Sequence, residues 1–324
     1  MLLISHFIGT IKNAGLVLLA LGCTRGYTQT LSDFTRTLGH YDALSHYDAA
    51  ATHKRSYWDI LKFKLIPGDT KVESIDRMGS TITTAITEYK EIIGNGTTRK
   101  PHYLATREAF SIQDPPANSS EQTKAELLYL LQLQSTRSAE DVRSSMYFAT
   151  VYYRVNTKPG EKDYAQMRRN LFHIGRSIAP WFCADSLPMT AALVANVWKD
   201  AAYLIWKYKN YFVRIRPYKL DTNLKNQEET NWAAYPSGHA TNSYANAYLF
   251  SELLPEFATY FIKDAYDMAH SREIIGVHYP SDSESGRQLA KELINRLKLN
   301  SNFLSDLSKA KTEIHALKVK HGYP

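Results

Sequence analysis

The chain has 324 residues, 44% of them hydrophobic and 22% charged, a composition that suits a soluble globular protein with a sizeable core. Its formal net charge of +7 favours anionic partners, but the basic residues are scattered with no block of five or six, which argues against a nucleic acid as an obligate partner. With only Cys23 and Cys183 present, loss or lipidation of Cys23 excludes an intramolecular disulfide framework.

In chain order, residues 1–23 read as a signal peptide or lipoprotein leader. Lys12 precedes a short apolar run, Ala14 to Gly22, of the length of a signal-peptide core and too short to span a membrane. The stretch LALGC ends at Cys23 and loosely resembles a lipoprotein cleavage box, so anchoring through Cys23 stands beside plain secretion or a periplasmic location. Nothing after the leader is apolar enough to cross a bilayer. Residues 24–108 form an N-terminal extension with little clean periodicity, in which STITTAITEYKEII, residues 80–93, begins to look helical. The loops GNGTTRKP and QDPPANSS follow.

Residues 109–324 read as a helical domain. SSEQTKAELLYLLQLQ opens on a Ser cap and carries leucines at helical spacing. A long helix begins near Met189, with Val194, Val197, Ala201, Leu204, Ile205, Tyr208 and Phe212 on one face, and ends at Pro217. ATNSYANAYLFSELL, stopped by Pro255, and EFATYFIKDAYDMAHSREII are two more helices. Ser281 and Glu284 are spaced as a capping box for the next one. Strand patterns are nearly absent, so the fold class is all-α, a helical bundle. Cys183, among apolar neighbours in APWFCADS, reads as a buried small hydrophobe.

Chemistry gathers at the helix ends. Lys209 and Arg216 are seven residues apart, about two turns on one helix, and Arg272 lies near the end of a later one. Three converging cations would bind a dianion such as phosphate. In YPSGHA, Ser237 and Gly238 fall at a helix N-terminus, where free N–H groups and the helix dipole favour an anion and Gly238 permits close approach. Asp282 follows His278 by four residues, a spacing that lets the carboxylate fix the imidazole tautomer and leave the other nitrogen nucleophilic. His239 is then placed to protonate a leaving group. Taken singly, each element has a plainer reading as a solvated cation, a structural histidine or an ordinary turn. Together they describe phosphoryl transfer through a phosphohistidine without a metal; so many cations would repel one.

The order and spacing of these pieces resemble the phosphatidic acid phosphatase and vanadium haloperoxidase superfamily. K-x6-R-P stands as KNYFVRIRP, Lys209 to Pro217; P-S-G-H as Pro236 to His239; and S-R-x5-H-x3-D as SREIIGVHYPSD, Ser271 to Asp282. Within it, residues 110–320 resemble the soluble bacterial class A nonspecific acid phosphatases, with Ala240 standing where that group commonly has Thr. The resemblance implies an all-α bundle of the phosphatase and haloperoxidase type. It implies His278 as nucleophile oriented by Asp282, and His239 as the acid. Lys209, Arg216, Arg272, Ser237 and the Gly238 N–H would hold the phosphoryl oxygens. No metal or cofactor is expected, although vanadate or phosphate can occupy such a site. The expected partner is a phosphomonoester substrate, and relatives are often homo-oligomers. A lipid-phosphate phosphatase, a vanadate-dependent haloperoxidase and a phosphate-binding protein without turnover are the alternatives.

Overall fold

The computed structural model describes residues 100–322, apart from 107–109, 111, 153, 155–156 and 231. The leader, Cys23, the expected helix over 80–93 and the rest of the extension up to residue 99 lie outside the described residues. Among the described residues every regular element is helical, as expected. Helix α1 (Glu121–Thr136) starts where Ser120 accepts the Thr123 N–H, and α2 (Ala139–Ala149) starts on a reciprocal cap between Ser138 and Asp141. After α3 (Tyr164–Leu171) comes the long α4 (Pro188–Phe212), with Pro188 in its first turn, where a missing N–H costs nothing. The turn α5 (Pro217–Leu220), α6 (Gly238–Leu253), a 3-10 turn (Pro255–Phe257), α7 (Ala258–Ile274), α8 (Pro280–Leu297) and α9 (Ser301–Lys320) complete the order.

Helix α6 is the centre of the bundle. None of its 16 residues is exposed, because it packs against α4, α7 and α8 at once. Its buried polar side chains find partners there: Asn246 accepts from Trp198 Nε1 at 2.7 Å and donates to the Leu171 carbonyl at 3.0 Å. Tyr244, Leu249 and Phe250 are among its core residues; each fully buried side chain of this kind contributes about 1.5–3 kcal/mol. The approach of α8 is close enough that a Cβ at Gly286 would sit 2.8 Å from the Ser237 carbonyl oxygen. That contact, together with a hydrogen bond from Ser237 N–H to the Asp282 carbonyl oxygen at 2.9 Å, locks the start of α6 onto the start of α8.

The predicted face of α4 is the one it buries: Val194, Val197, Ala201, Leu204, Ile205 and Tyr208 are all in the core, with Phe212 half-buried. Two carboxylates anchor this helix. Glu313 of α9 accepts the Met189 and Thr190 N–H groups at 2.8 Å each, and the wholly buried Asp200 accepts main-chain N–H groups of residues 102–104. Tyr103 and Leu104 join the same core, so packing reaches N-terminal to the boundary placed at 109.

Three expectations change. The long helix ends at Phe212 rather than Pro217, because Val213 takes a left-handed conformation (φ 49°); Arg216 therefore lies beyond the helix, at the N-cap of α5. The Ser281/Glu284 capping box does not form, since α8 begins at Pro280 and Asp282 is the residue that takes the Tyr279 N–H, at 3.0 Å. Glu284 instead pairs with Arg287 one turn on. Cys183 is half-buried, not buried, with its sulfur 3.5 Å from the Ser186 hydroxyl.

Candidate active site

Four element ends meet around one cavity of about 660 Å³. The last turn of α4 brings Lys209, the N-cap of α5 brings Arg216, the first turn of α6 brings Gly238 and His239, the last turn of α7 brings Arg272, and the linker before α8 brings His278. These six line the cavity. Ser237 and Asp282 are wholly buried behind it: Ser237 is the N-cap of α6, and Asp282 faces the far side of His278. Apolar walls complete the cavity, among them Trp198, Ile205, Trp206 and Trp232, the last two edge to face with centroids 5.2 Å apart. No sequence pattern marks these walls, since isolated tryptophans have no fixed spacing.

His278 is held at both nitrogens. Its Nδ1 lies 3.0 Å from Asp282 Oδ2 and its Nε2 lies 2.9 Å from Arg216 Nη1. An ionised carboxylate only accepts and a guanidinium only donates, so the proton sits on Nδ1 and the lone pair on Nε2. Charge agrees. Burial, and then the Arg216 guanidinium, hold His278 well below the ordinary imidazole range, so the ring is neutral. Burial would push Asp282 up, but the Arg214 guanidinium and His278 together hold it well below the usual carboxylate range. The pair is thus a neutral imidazole whose Nε2 lone pair faces Arg216, backed by a fixed negative charge.

The cations are buried and individually tethered. Lys209 Nζ donates to the Ala233 and Ala234 carbonyls at 2.6 and 3.1 Å, and burial followed by Arg216 lowers its pKa well below the lysine norm. Arg216 donates from Nε to the Trp232 carbonyl and from Nη1 to the Val277 carbonyl. Arg272 pairs with Glu228 through Nη2, while its buried Nε and Nη1 have no hydrogen-bond partner among the described residues. Buried guanidinium N–H groups without a partner are costly unless an anion meets them. His239 Nε2 lies 3.3 Å from the Ala149 carbonyl, which makes Nε2 the protonated nitrogen and leaves Nδ1 as the other titrating position. Burial, then Arg272, hold His239 well below the ordinary range.

Two further residues, absent from the sequence-based set, support this arrangement. Arg214, buried, donates from Nη1 to Asp282 Oδ1 and to Ser281 Oγ, both at 2.7 Å, and lies 3.9 Å over the Tyr279 ring. Glu126 of α1, also buried, lies 3.3 Å from Arg214 Nη2 and accepts both the N–H and the hydroxyl of Ser281 at 2.8 Å. Burial pushes Glu126 up to about 7 despite Arg214. Among the described residues, no group of three or more His, Cys, Asp or Glu side chains has metal-binding geometry.

A family model described as the PAP2 superfamily matches residues 188–291. The matched span opens at the first residue of α4, closes within α8, and contains every site residue named above from Lys209 to Asp282, with Arg214; Glu126 lies outside it. The chain is 34% identical over 137 residues to a non-specific acid phosphatase of Providencia stuartii, covering 40% of this chain and 55% of that protein. It is 28% identical over 148 residues to a non-specific acid phosphatase of Salmonella typhi, covering 44% and 58%. The chain therefore spans a little over half the length of these curated relatives. A solved transmembrane PAP2-type phosphatidylglycerolphosphate phosphatase from Bacillus subtilis overlaps 68% of this chain and 94% of its own, at 16% identity and a TM-score of 0.37. Among the described residues, no helix is long and apolar enough to cross a membrane.

Proposed function

We propose that this protein is an acid phosphatase that hydrolyses phosphomonoesters through a phosphohistidine at His278, without a metal. The observation that carries the reading is the state of His278: Nδ1 committed to Asp282, and the Nε2 lone pair beside Arg216 in a cavity with two more cations. The phosphoryl oxygens are received by Arg216, Arg272 and Lys209 and by the N-terminus of α6 at Gly238, with Ser237 fixing that helix start. Such a site supplies what phosphoryl transfer needs most, positioning and charge stabilisation.

In the first step the Nε2 lone pair forms the N–P bond as the bond from phosphorus to the ester oxygen breaks. His239, protonated at Nδ1, gives its proton to the departing oxygen. Asp282 balances the positive charge that develops on the His278 ring. In the second step water attacks phosphorus, neutral His239 takes its proton, and the N–P electron pair returns to Nε2 as phosphate leaves. The bound dianion offsets the field of Arg272 that keeps His239 deprotonated in the empty site, so the acid is charged when it is needed. A dense cluster of cations is a poor place for a metal ion, and no step uses one.

The acid phosphatase names of the relatives support this reading, as does the family of the span that carries the site. The same reading carries a periplasmic or secreted location, with lipid anchoring through Cys23 as its variant. The test is p-nitrophenyl phosphate hydrolysis across acid and neutral pH, with and without EDTA, in wild type and His278→Ala. EDTA-resistant activity that peaks in acid and vanishes in the variant is expected; activity that survives the substitution overturns the assignment.

A further inference from the structure

Among the described residues Glu228 is the one carboxylate lining the cavity, and its Oε2 pairs with Nη2 of Arg272, a cation assigned above to the phosphoryl group. The contact is built in by the chain around it. Gln227 N–H donates to the Ile275 carbonyl at 3.1 Å and the Asn226 side chain donates to the Glu228 carbonyl at 2.8 Å. The second bond fixes the segment's own local bend, and the first seats it on the turn after α7. There Gly276 has a φ of 73°, and a Cβ added to it would meet Asn226 Cα at 3.6 Å. The linker thus presents a carboxylate to the arginine.

The two partners differ in freedom. The Arg272 side chain is 3% exposed and the Glu228 side chain 31%. Arg272 is fixed, and Glu228 has solvent to move into. A carboxylate and a phosphoryl group both offer a guanidinium a pair of anionic oxygen acceptors, so they compete for the same donors. A carboxylate left in place would also face the incoming dianion directly. Lys209, Arg216, His239, His278, Arg154 and Tyr152 line the same cavity.

We infer that Glu228 is a displaceable internal anion: it holds Arg272 while the site is empty and is pushed aside by the phosphoryl group of the substrate. This rests on the phosphatase reading above in taking Arg272 as an anion ligand. Glu228 keeps the buried guanidinium satisfied between turnovers and, by competing for it, weakens retention of the phosphate product. It sets a threshold that favours doubly charged phosphomonoesters over singly charged anions, since only a stronger competitor replaces it.

The test is sulfate binding by calorimetry at neutral pH and low salt, using the full chain as wild type, Glu228→Gln and Glu228→Ala, with p-nitrophenyl phosphate hydrolysis measured on the same samples. Sulfate is a dianion that is not turned over. Removal of the competing charge should tighten sulfate binding about tenfold in both variants, and product phosphate should become a correspondingly stronger inhibitor. Unchanged or weaker sulfate binding in both variants, with hydrolysis present in wild type, would overturn the inference alone and make Glu228 an orienting partner of Arg272. Absence of both sulfate binding and hydrolysis in wild type would overturn the phosphatase reading together with it.

Discussion

Arg214 and His278 hold the two oxygens of one carboxylate: Arg214 Nη1 donates to Asp282 Oδ1 at 2.7 Å, and His278 Nδ1 to Oδ2 at 3.0 Å. Asp282 is therefore locked in orientation and in charge before any substrate arrives. Replacing Arg214 by Lys keeps a charge but removes the fork that reaches Asp282 and Ser281 together. We expect kcat to fall about tenfold to 100-fold with little change in KM, because the imidazole loses orientation rather than substrate contacts. Arg214→Ala would leave two buried carboxylates without a cation and should cost about 3–5 kcal/mol, read as a drop in the denaturation midpoint. A Lys variant with wild-type kcat would show that Arg214 has no part in positioning His278.

Asp282→Asn tests the tautomer. An amide can turn its NH2 toward Nδ1 and drive the proton to Nε2, removing the lone pair from the cavity. The expected loss is about 10³–10⁴ in kcat, by analogy of role with triad aspartates, with the fold retained. Substrate or phosphate affinity measured alongside should change far less than kcat.

His239 separates acid catalysis from binding. His239→Ala should slow hydrolysis of an alkyl phosphate by about 10²–10⁴ and hydrolysis of an activated aryl phosphate much less, since a good leaving group departs without a proton. In wild type, kcat should fall as pH rises through the titration of His239 in the substrate complex. That limb should lie at higher pH than the His239 titration of the empty enzyme followed by NMR, because bound phosphate opposes Arg272. Coincident titrations in the two states would contradict the charge coupling.

The fold carries its own pH dependence. Burial pushes Asp267 up to about 7 despite Lys263, and burial raises Asp264 well above its ordinary value. A carboxyl with a raised folded pKa binds more protons folded than unfolded between about pH 4 and 7, so stability is greatest in acid and falls as pH rises through that window. Asp267→Asn should raise the melting temperature by a few degrees at pH 8 and change it little at pH 4. An equal shift at both pH values would place the effect in packing rather than in ionisation.

The helix pattern of the bundle was legible in the sequence because period and breakers agreed: the stripe from Val194 to Tyr208 could serve only as a buried helix face. The cavity residues were legible for a different reason, namely that three spaced motifs supplied them. Val213 shows where local reading stops. A β-branched residue in a left-handed conformation is locally disfavoured and is imposed by tertiary packing, so the exit of the chain before Arg216 could not be read from the stretch itself. Glu126 has a trace in the sequence. It shares a helical stripe with Leu130 and Leu133, and a carboxylate in a core stripe must meet a cation. Arg214 left a similar one, standing between Val213 and Ile215 two residues before Arg216. Neither trace names its partner, because the pairing spans 88 residues.

The central claim is a covalent bond between phosphorus and His278 Nε2. It is tested most directly by mixing enzyme with a rapidly hydrolysed aryl phosphate, quenching in alkali within the turnover time, and mapping the peptides by mass spectrometry. One added phosphoryl group is expected on the peptide carrying His278, stable to base and lost in acid, and absent from His278→Ala. Steady hydrolysis with no adduct on His278, or an adduct on any other side chain, would contradict it.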